Sequence, residues 1–306
     1  LFTSGTRVIR GTSMAKQPKY SILEYATLNL SFADELAAFR EGGAQGVGIT
    51  EFTGPKVREP ETMVETLRNS GLSPTVCWPA VPSVLPLTLF GGPQDPAKRV
   101  GALCDGIRNL HPFNPIACGC VTGARGKYGD AEARKIIVEG LRAAADVAAS
   151  LNLKLALEPI HHSIAQWFTT ITTLQQTVDL IEEVGAPNIG VSFDTWHSWD
   201  QPNLLEEIRR YADRFLIVHI GDYRKTTRSW CDRVLPGDGI ANLPAQFGAL
   251  EDAGYDGWYE FEVLSDNGIY GNAFPDSLWS FPPTELVRRG RDSFLRCWEK
   301  RVAPEA

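Results

Sequence analysis

The sequence predicts an α/β fold, a closed (β/α)8 TIM barrel in a single domain. Three observations predict it. From Tyr20 onward, short apolar runs alternate with stretches of 3.6-residue periodicity, the pattern of parallel βα units. The alternation repeats eight times, which suits closure. The polar residues that interrupt the apolar runs gather at their C-terminal ends, where a barrel of this kind carries its chemistry. A chain of 306 residues accommodates such a barrel, which commonly takes about 250 residues plus insertions. A doubly wound open sheet is the structural alternative, but no GxGxxG opens a first helix.

Taken in order, the expected strands are YSILEYAT (20–27), GVGIT (46–50), PTVCWPAV (74–81), PIACGCVTG (115–123), KLALEPIHH (154–162), IGVSFDTWHS (189–198), FLIVHIGDY (215–223) and GWYEFEVLS (257–265). Helical stretches between them include FADELAAFREGG, DAEARKIIVEGLRAAADVAASLN, TLQQTVDLIEEVG and LPAQFGALEDAG. Three of these close on a Gly, the residue suited to a helix C-terminus. The opening LFTSGTRVIRGTSMAKQ is polar and irregular, lacks the apolar stretch of a signal peptide and contains Met14. Residues 1–17 are therefore expected to be a leader or expression scar, with the barrel in 18–306.

A formal charge of −7 argues against a nucleic-acid partner, whose phosphates call for clustered basic residues. No apolar run approaches the roughly 20 residues of a membrane span, so the chain reads as soluble. The six cysteines include no CxxC and read as packed free thiols in a reducing cytoplasm. A small polar, carbohydrate-like substrate fits this balance; a homo-oligomer or a second subunit stays open.

Four of the five histidines fall between residues 161 and 219, at or just past expected strand ends. Glu158 ends the fifth strand, Asp194 the sixth, His219 the seventh and Glu262 the eighth. Side chains alternate along a strand, so Glu262 shares a face with Glu260, and Glu158 with Ala156 and Lys154. Three carboxylates and one imidazole from four neighbouring strands converge on one point at the barrel mouth, and that pattern is a metal site. Oxygen-rich donors without thiolate suit Mn²⁺, with Mg²⁺ or Co²⁺ as alternatives, better than structural zinc. Two open positions would let adjacent substrate oxygens chelate while an enolate forms. Any one such residue alone is more often a cap or a salt-bridge partner; four on consecutive strands carry the functional reading.

These residues also carry a family resemblance. LALEPIHH, VSFDTWH, IVHIGD, DRVLPGDGIANLP and GYDGWYEFEVLS resemble the xylose isomerase-like TIM barrels. That superfamily includes sugar isomerases and epimerases, apurinic endonucleases, inosose dehydratases and C-glycoside-cleaving enzymes. The resemblance covers Leu155 to Ser265 and is most specific in the Arg before a PGxG turn and in the strand after GYDG. It implies a divalent ion, often Mn²⁺, held by Glu158, Asp194, His219 and Glu262. It also implies that Glu158 and Glu262 exchange a proton next to a carbonyl from opposite faces of the substrate, and that His197 and Arg233 contact substrate oxygens.

His161 stands three residues after Glu158, where epimerases tend to carry a smaller amide-type residue. LEPxH looks more like the C-glycoside-cleaving and dehydratase branches, in which an imidazole there could serve as catalytic base or acid for β-elimination. The alternative for His161 is a group that orients Glu158; for His162, packing or capping. Trp78, Trp167, Trp196, Trp199, Trp230 and Trp279 fall on strand ends or following loops, beside the insertion SDNGIYGNAFPDSLWSFPP. They are expected either to stack on a sugar or aglycone, Trp196 among them, or to anchor large loops. The expectation is a metal-dependent isomerase or epimerase of a small sugar or keto-polyol. A lyase in the same site is the runner-up, and a non-catalytic metal- or sugar-binding subunit the reading from another class. DNA repair is weaker, because a trinuclear zinc site needs further histidines on the early strands, and only His111 lies there.

Overall fold

The computed structural model describes residues 17–26, 30–51 and 60–301; the expected leader, apart from Gln17, lies outside the described residues. Eight parallel strands close into a barrel: β1 (Lys19–Leu23), β2 (Gly46–Thr50), β3 (Ser73–Trp78), β4 (Ala117–Cys120), β5 (Lys154–Leu157), β6 (Ile189–Asp194), β7 (Phe215–Ile220) and β8 (Trp258–Phe261). Closure runs through β1, whose Ser21 is in register with Glu260 of β8 on one side and Gly46 of β2 on the other. Around the barrel lie α1 (Phe32–Glu41), α2 (Pro60–Ser70), α3 (Pro96–Leu110), α4 (Asp130–Ser150), α5 (Leu174–Val184), α6 (Leu204–Tyr211), α7 (Leu243–Asp252) and α8 (Pro283–Glu299).

Local chemistry sets the helix ends. Ser31, Asp95 and Thr173 accept the backbone N–H three residues on and so cap α1, α3 and α5. Gly185 and Gly254 take the left-handed conformation just beyond α5 and α7, at φ 73° and 75°. At the end of α1 that role falls to Gly43, φ 93°, rather than to Gly42, which stays right-handed at φ −69°.

Most strands end earlier than their apolar runs. β5 stops at Leu157, so Glu158 is the first residue off the strand and not its last; Pro159 has no N–H with which to continue a ladder. β6 stops at Asp194, whose carboxylate accepts the Trp196 N–H at 2.6 Å and turns residues Thr195–Ser198 into a single helical turn. β8 stops at Phe261, leaving Glu262 just beyond it. After β7 the chain makes an antiparallel excursion in which Asp222–Tyr223 pairs with Arg233–Val234. Among the described residues no helix is long and apolar enough to cross a membrane. All six cysteines are buried and free.

Candidate active site

The C-terminal ends of β5 to β8 bring Glu158, Asp194, His219 and Glu262 together, all buried, with one ligand atom from each lying within 4.8 Å of the others. His219 Nδ1 stands 3.2 Å from Glu158 Oε1 and 3.0 Å from Glu262 Oε2. Arg233 closes the cluster, with Nη2 2.8 Å from Asp194 Oδ2 and 3.5 Å from Glu262 Oε1. The chain builds that position deliberately. Gly221 makes room for the arginine, since a Cβ there would meet Nη1 at 2.9 Å. The PGDG turn that follows Arg233 folds around Asp222, whose carboxylate accepts the N–H groups of Tyr223, Gly237, Gly239 and Ala241. Gly239 lies so close to Asp222 that no side chain fits, which explains why the motif carries glycine there.

The electrostatics divide the two glutamates. Burial dominates at Glu158 and pushes its carboxyl up to about 8 despite His219. At Glu262 burial acts the same way, but Arg233 and His219 together outweigh it and hold the group well below the usual carboxylate range. Burial drives His219 down, yet Glu158 and Glu262 reverse that and raise it. Burial and then Arg233 keep His197 well below the ordinary imidazole value, so it is neutral.

His197 Nδ1 accepts the backbone N–H of His161 at 3.2 Å, which places the ring proton on Nε2, 3.6 Å from Asp194 Oδ2. His197 thus presents a donor beside the cluster. Arg233 does the same: its Nε and Nη1 are buried without a hydrogen-bond partner among the described residues, although buried donors are normally satisfied. Asp194 Oδ2 and Glu262 Oε2 are likewise buried without one. Three carboxylates that converge with an imidazole fit a divalent cation by donor type, and the contacts of Asp194 Oδ2 with Arg233 and of Glu262 Oε2 with His219 are ion pairs within the cluster itself.

Above the cluster opens a cavity of about 240 Å³, with Glu158, His197, Arg233 and Glu262 in its wall. The remaining wall is almost wholly apolar, and includes Trp78, Leu87, Phe90, Phe168, Trp230 and Tyr270. Loops hold it in place. Arg224 and Arg228 bind Asp232 and Asp276, tying the loop that carries Trp230 to the final insertion. Asp266 accepts the N–H groups of Gly268, Tyr270 and Asn272 and so fixes Tyr270.

Two residues singled out from sequence stand apart from the cavity. The His161 ring is buried between Trp196, Trp199 and Tyr223, with Nε2 3.4 Å from Asp200 Oδ1. Only its backbone reaches His197. Trp196 does not line the cavity either; it lies beneath the Arg233 guanidinium, 5.2 Å from ring to carbon, and braces it. His162 is exposed and pairs with Asp200 at 2.8 Å. Of the expected tryptophans, Trp78 and Trp230 line the cavity, whereas Trp279 ties the insertion to Val263 O. Sequence reasoning missed Tyr25, Leu87, Phe90, Phe168 and Tyr270 as wall residues, for an aromatic or leucine in a loop carries no mark of which way it turns.

The model of the xylose isomerase-like TIM barrel family matches residues 38–297. The chain belongs to that family. An inosose isomerase of Bacillus velezensis is 30% identical over 138 residues, 44% of this chain and 48% of that one. The inosose dehydratase of Geobacillus thermodenitrificans is 27% identical over 47% of this chain and 51% of its own. This chain therefore spans about half the length of these curated relatives. A human putative hydroxypyruvate isomerase is 27% identical over 79% of this chain and 89% of its own. Among solved structures, the IolI protein, crystallised with a zinc atom, superposes with a TM-score of 0.75 at 18% identity, covering 94% of this chain and all of its own. The family's barrel, found here from β1 to α8, is the frame that sets the cluster at its mouth.

Proposed function

We propose that the protein is a divalent-metal-dependent isomerase or epimerase that moves a proton next to a carbonyl on a small polyhydroxylated ketone. The observation that carries this is the pairing of Glu158 and Glu262 in one cavity wall with His197 and with Arg233, whose Nε and Nη1 have no hydrogen-bond partner among the described residues. A cation held by Glu158, Asp194, His219 and Glu262, for which Mn²⁺ is the first choice and zinc, as in the IolI crystal, a second, would supply Lewis acidity to adjacent substrate oxygens.

The chain's own groups do the rest. One glutamate takes the proton from the carbon next to the carbonyl, and the other returns one to the same or the neighbouring carbon. Arg233 donates Nε–H and Nη1–H to the oxygen on which charge develops, from a buried site where such bonds are strong. His197 donates Nε2–H to a substrate hydroxyl and stays neutral. The apolar wall keeps water from the transferred proton. Metal-loaded protein incubated in D2O with a panel of ketoses and inososes should place deuterium at one substrate carbon, read by NMR. A panel that returns no deuterium in any compound would falsify the reading.

A lyase working on a sugar that carries an apolar group is favoured by one observation, the aromatic wall itself, which offers hydroxyls almost no partners. Under that reading Glu158 or Glu262, rather than His161, is the base, because the His161 ring does not reach the cavity. Release of an aromatic alcohol or carbon-linked aglycone from an oxidised glycoside, followed by absorbance, would decide for it.

A further inference from the structure

We propose that Glu260, which lies outside the cation cluster, is the positioning residue that fixes the orientation and tautomer of His219. The proposal rests on the reading of the cluster as a metal site. β8 alternates, so Tyr259 and Phe261 face the helices while Glu260 points into the barrel, where such folds normally stack branched apolar side chains. It is fully buried. Register sets it between Ser21 of β1 and His219 of β7. A carboxylate in that place is costly unless its oxygens are satisfied.

The Ser21 hydroxyl donates to Oε2 at 3.1 Å, and the Thr75 hydroxyl donates to the same oxygen. The other oxygen, Oε1, has no such donor among the described residues; it faces His219 Nε2 at 3.3 Å, and that nitrogen is equally without another partner. The space is reserved for this contact, because a Cβ on Gly48 would sit 2.6 Å from Oε1. His219 turns its other nitrogen, Nδ1, to Glu158 and Glu262. An imidazole that offers the Nδ1 lone pair to a cation must keep its proton on Nε2, and Glu260 is the acceptor placed there. Carboxylates behind ligating histidines orient the ring and raise its basicity.

Titration of metal-free protein with Mn²⁺, followed by calorimetry, tests this with Glu260→Leu, Glu260→Gln and Thr75→Val. Glu260→Leu should weaken Mn²⁺ binding by about 10–100-fold. Glu260→Gln should recover most of the loss, because its amide oxygen still accepts from Nε2–H. Equal affinity in folded Glu260→Leu and wild type overturns the proposal. Should the leucine variant fail to fold, Thr75→Val loosens Glu260 without touching His219, and unchanged Mn²⁺ affinity there overturns it instead. Nitrogen-15 NMR of His219 in the metal-free protein separates the two readings. A wild type that takes up no Mn²⁺ sinks the metal site, while Glu260 is then judged by whether the Nε2–H resonance shifts in Glu260→Leu or, should that variant not fold, in Thr75→Val; an unmoved resonance ends the proposal.

Discussion

The two halves of the barrel do different work at the same mouth. β5 to β8 contribute four carboxylates and an imidazole that interlock at 3.0–3.3 Å with His219 or through Arg233. The loops after β3 and β4 contribute only apolar wall, Leu87, Phe90 and Val121 with Trp78, and the loops after β5, β7 and β8 complete that wall with Phe168, Trp230 and Tyr270. A polar cluster confined to β5–β8, beneath an apolar wall drawn from both halves, implies that chemistry is concentrated in the cluster and substrate choice in the wall. Substitutions in cluster and wall should therefore fail differently.

The largest effects should come from the cluster. Glu158→Gln or Glu262→Gln should each lower kcat for proton exchange by about 10²–10⁴-fold, the usual worth of a positioned acid or base, and should weaken cation binding at the same time. A variant of either that retained wild-type kcat would remove it from the proton path. Arg233→Ala comes next. Loss of its donors should cost about 10²–10³-fold in kcat. Because Asp194 and Glu262 lose their buried partner, stability should fall by about 3–5 kcal/mol in denaturant unfolding. A substitution such as Phe90→Ala should show neither signature.

A pH series sharpens the contrast, because the carboxylates belong to the cluster and not to the apolar wall around it. Glu158 keeps its proton up to about pH 8 in the metal-free fold, whereas its ordinary value is 4.5. The folded state thus binds a proton that the unfolded chain has released, and metal-free stability falls as pH rises from about 5 to 8. A cation must displace that proton, so Mn²⁺ affinity should rise by up to about tenfold per pH unit below pH 8 and level off above it as far as Glu158 is concerned. Calorimetry in buffers of different ionisation enthalpy would count the protons released; pH-independent affinity between 6 and 8 would contradict the assignment.

The cluster was legible in the sequence and the wall was not, for a physical reason. A carboxylate at the end of an apolar run breaks a pattern, and four breaks on consecutive strands point to one place in a closed barrel. Arg233 was legible only through the resemblance, as the Arg before a PGxG turn, and the structure adds why that turn carries glycine: it folds around Asp222. Wall residues break no pattern: Phe90 and Tyr270 look like any loop aromatic until the loops are folded. His161 shows the converse. Its spacing from Glu158 drew attention, but its ring packs among Trp196, Trp199 and Tyr223, away from the cavity wall. Glu260 was visible as a partner on the face of Glu262, yet its contact with His219 depends on the register of β7 with β8, which no local pattern encodes.

The smallest effect should come from the wall and is the most informative about substrate. Phe90 packs edge-on against Trp230 at 5.7 Å between ring centres, and Trp230 against Tyr270 at 4.9 Å. Truncation of Phe90 to Ala opens the cavity without touching the cluster. If the natural substrate bears an apolar group that lies there, KM for that substrate should rise about tenfold, the equivalent of roughly 1.4 kcal/mol of lost contact. The kcat and the Mn²⁺ affinity should stay within about twofold, since uniform binding alone has been removed. If the substrate is a bare sugar, KM should barely move and the larger cavity should admit bulkier ketoses. Comparison of KM for one ketose with and without an aryl group, in wild type and Phe90→Ala, reads that difference directly. A fall in kcat as large as that of Glu158→Gln would break the division of labour between cluster and wall.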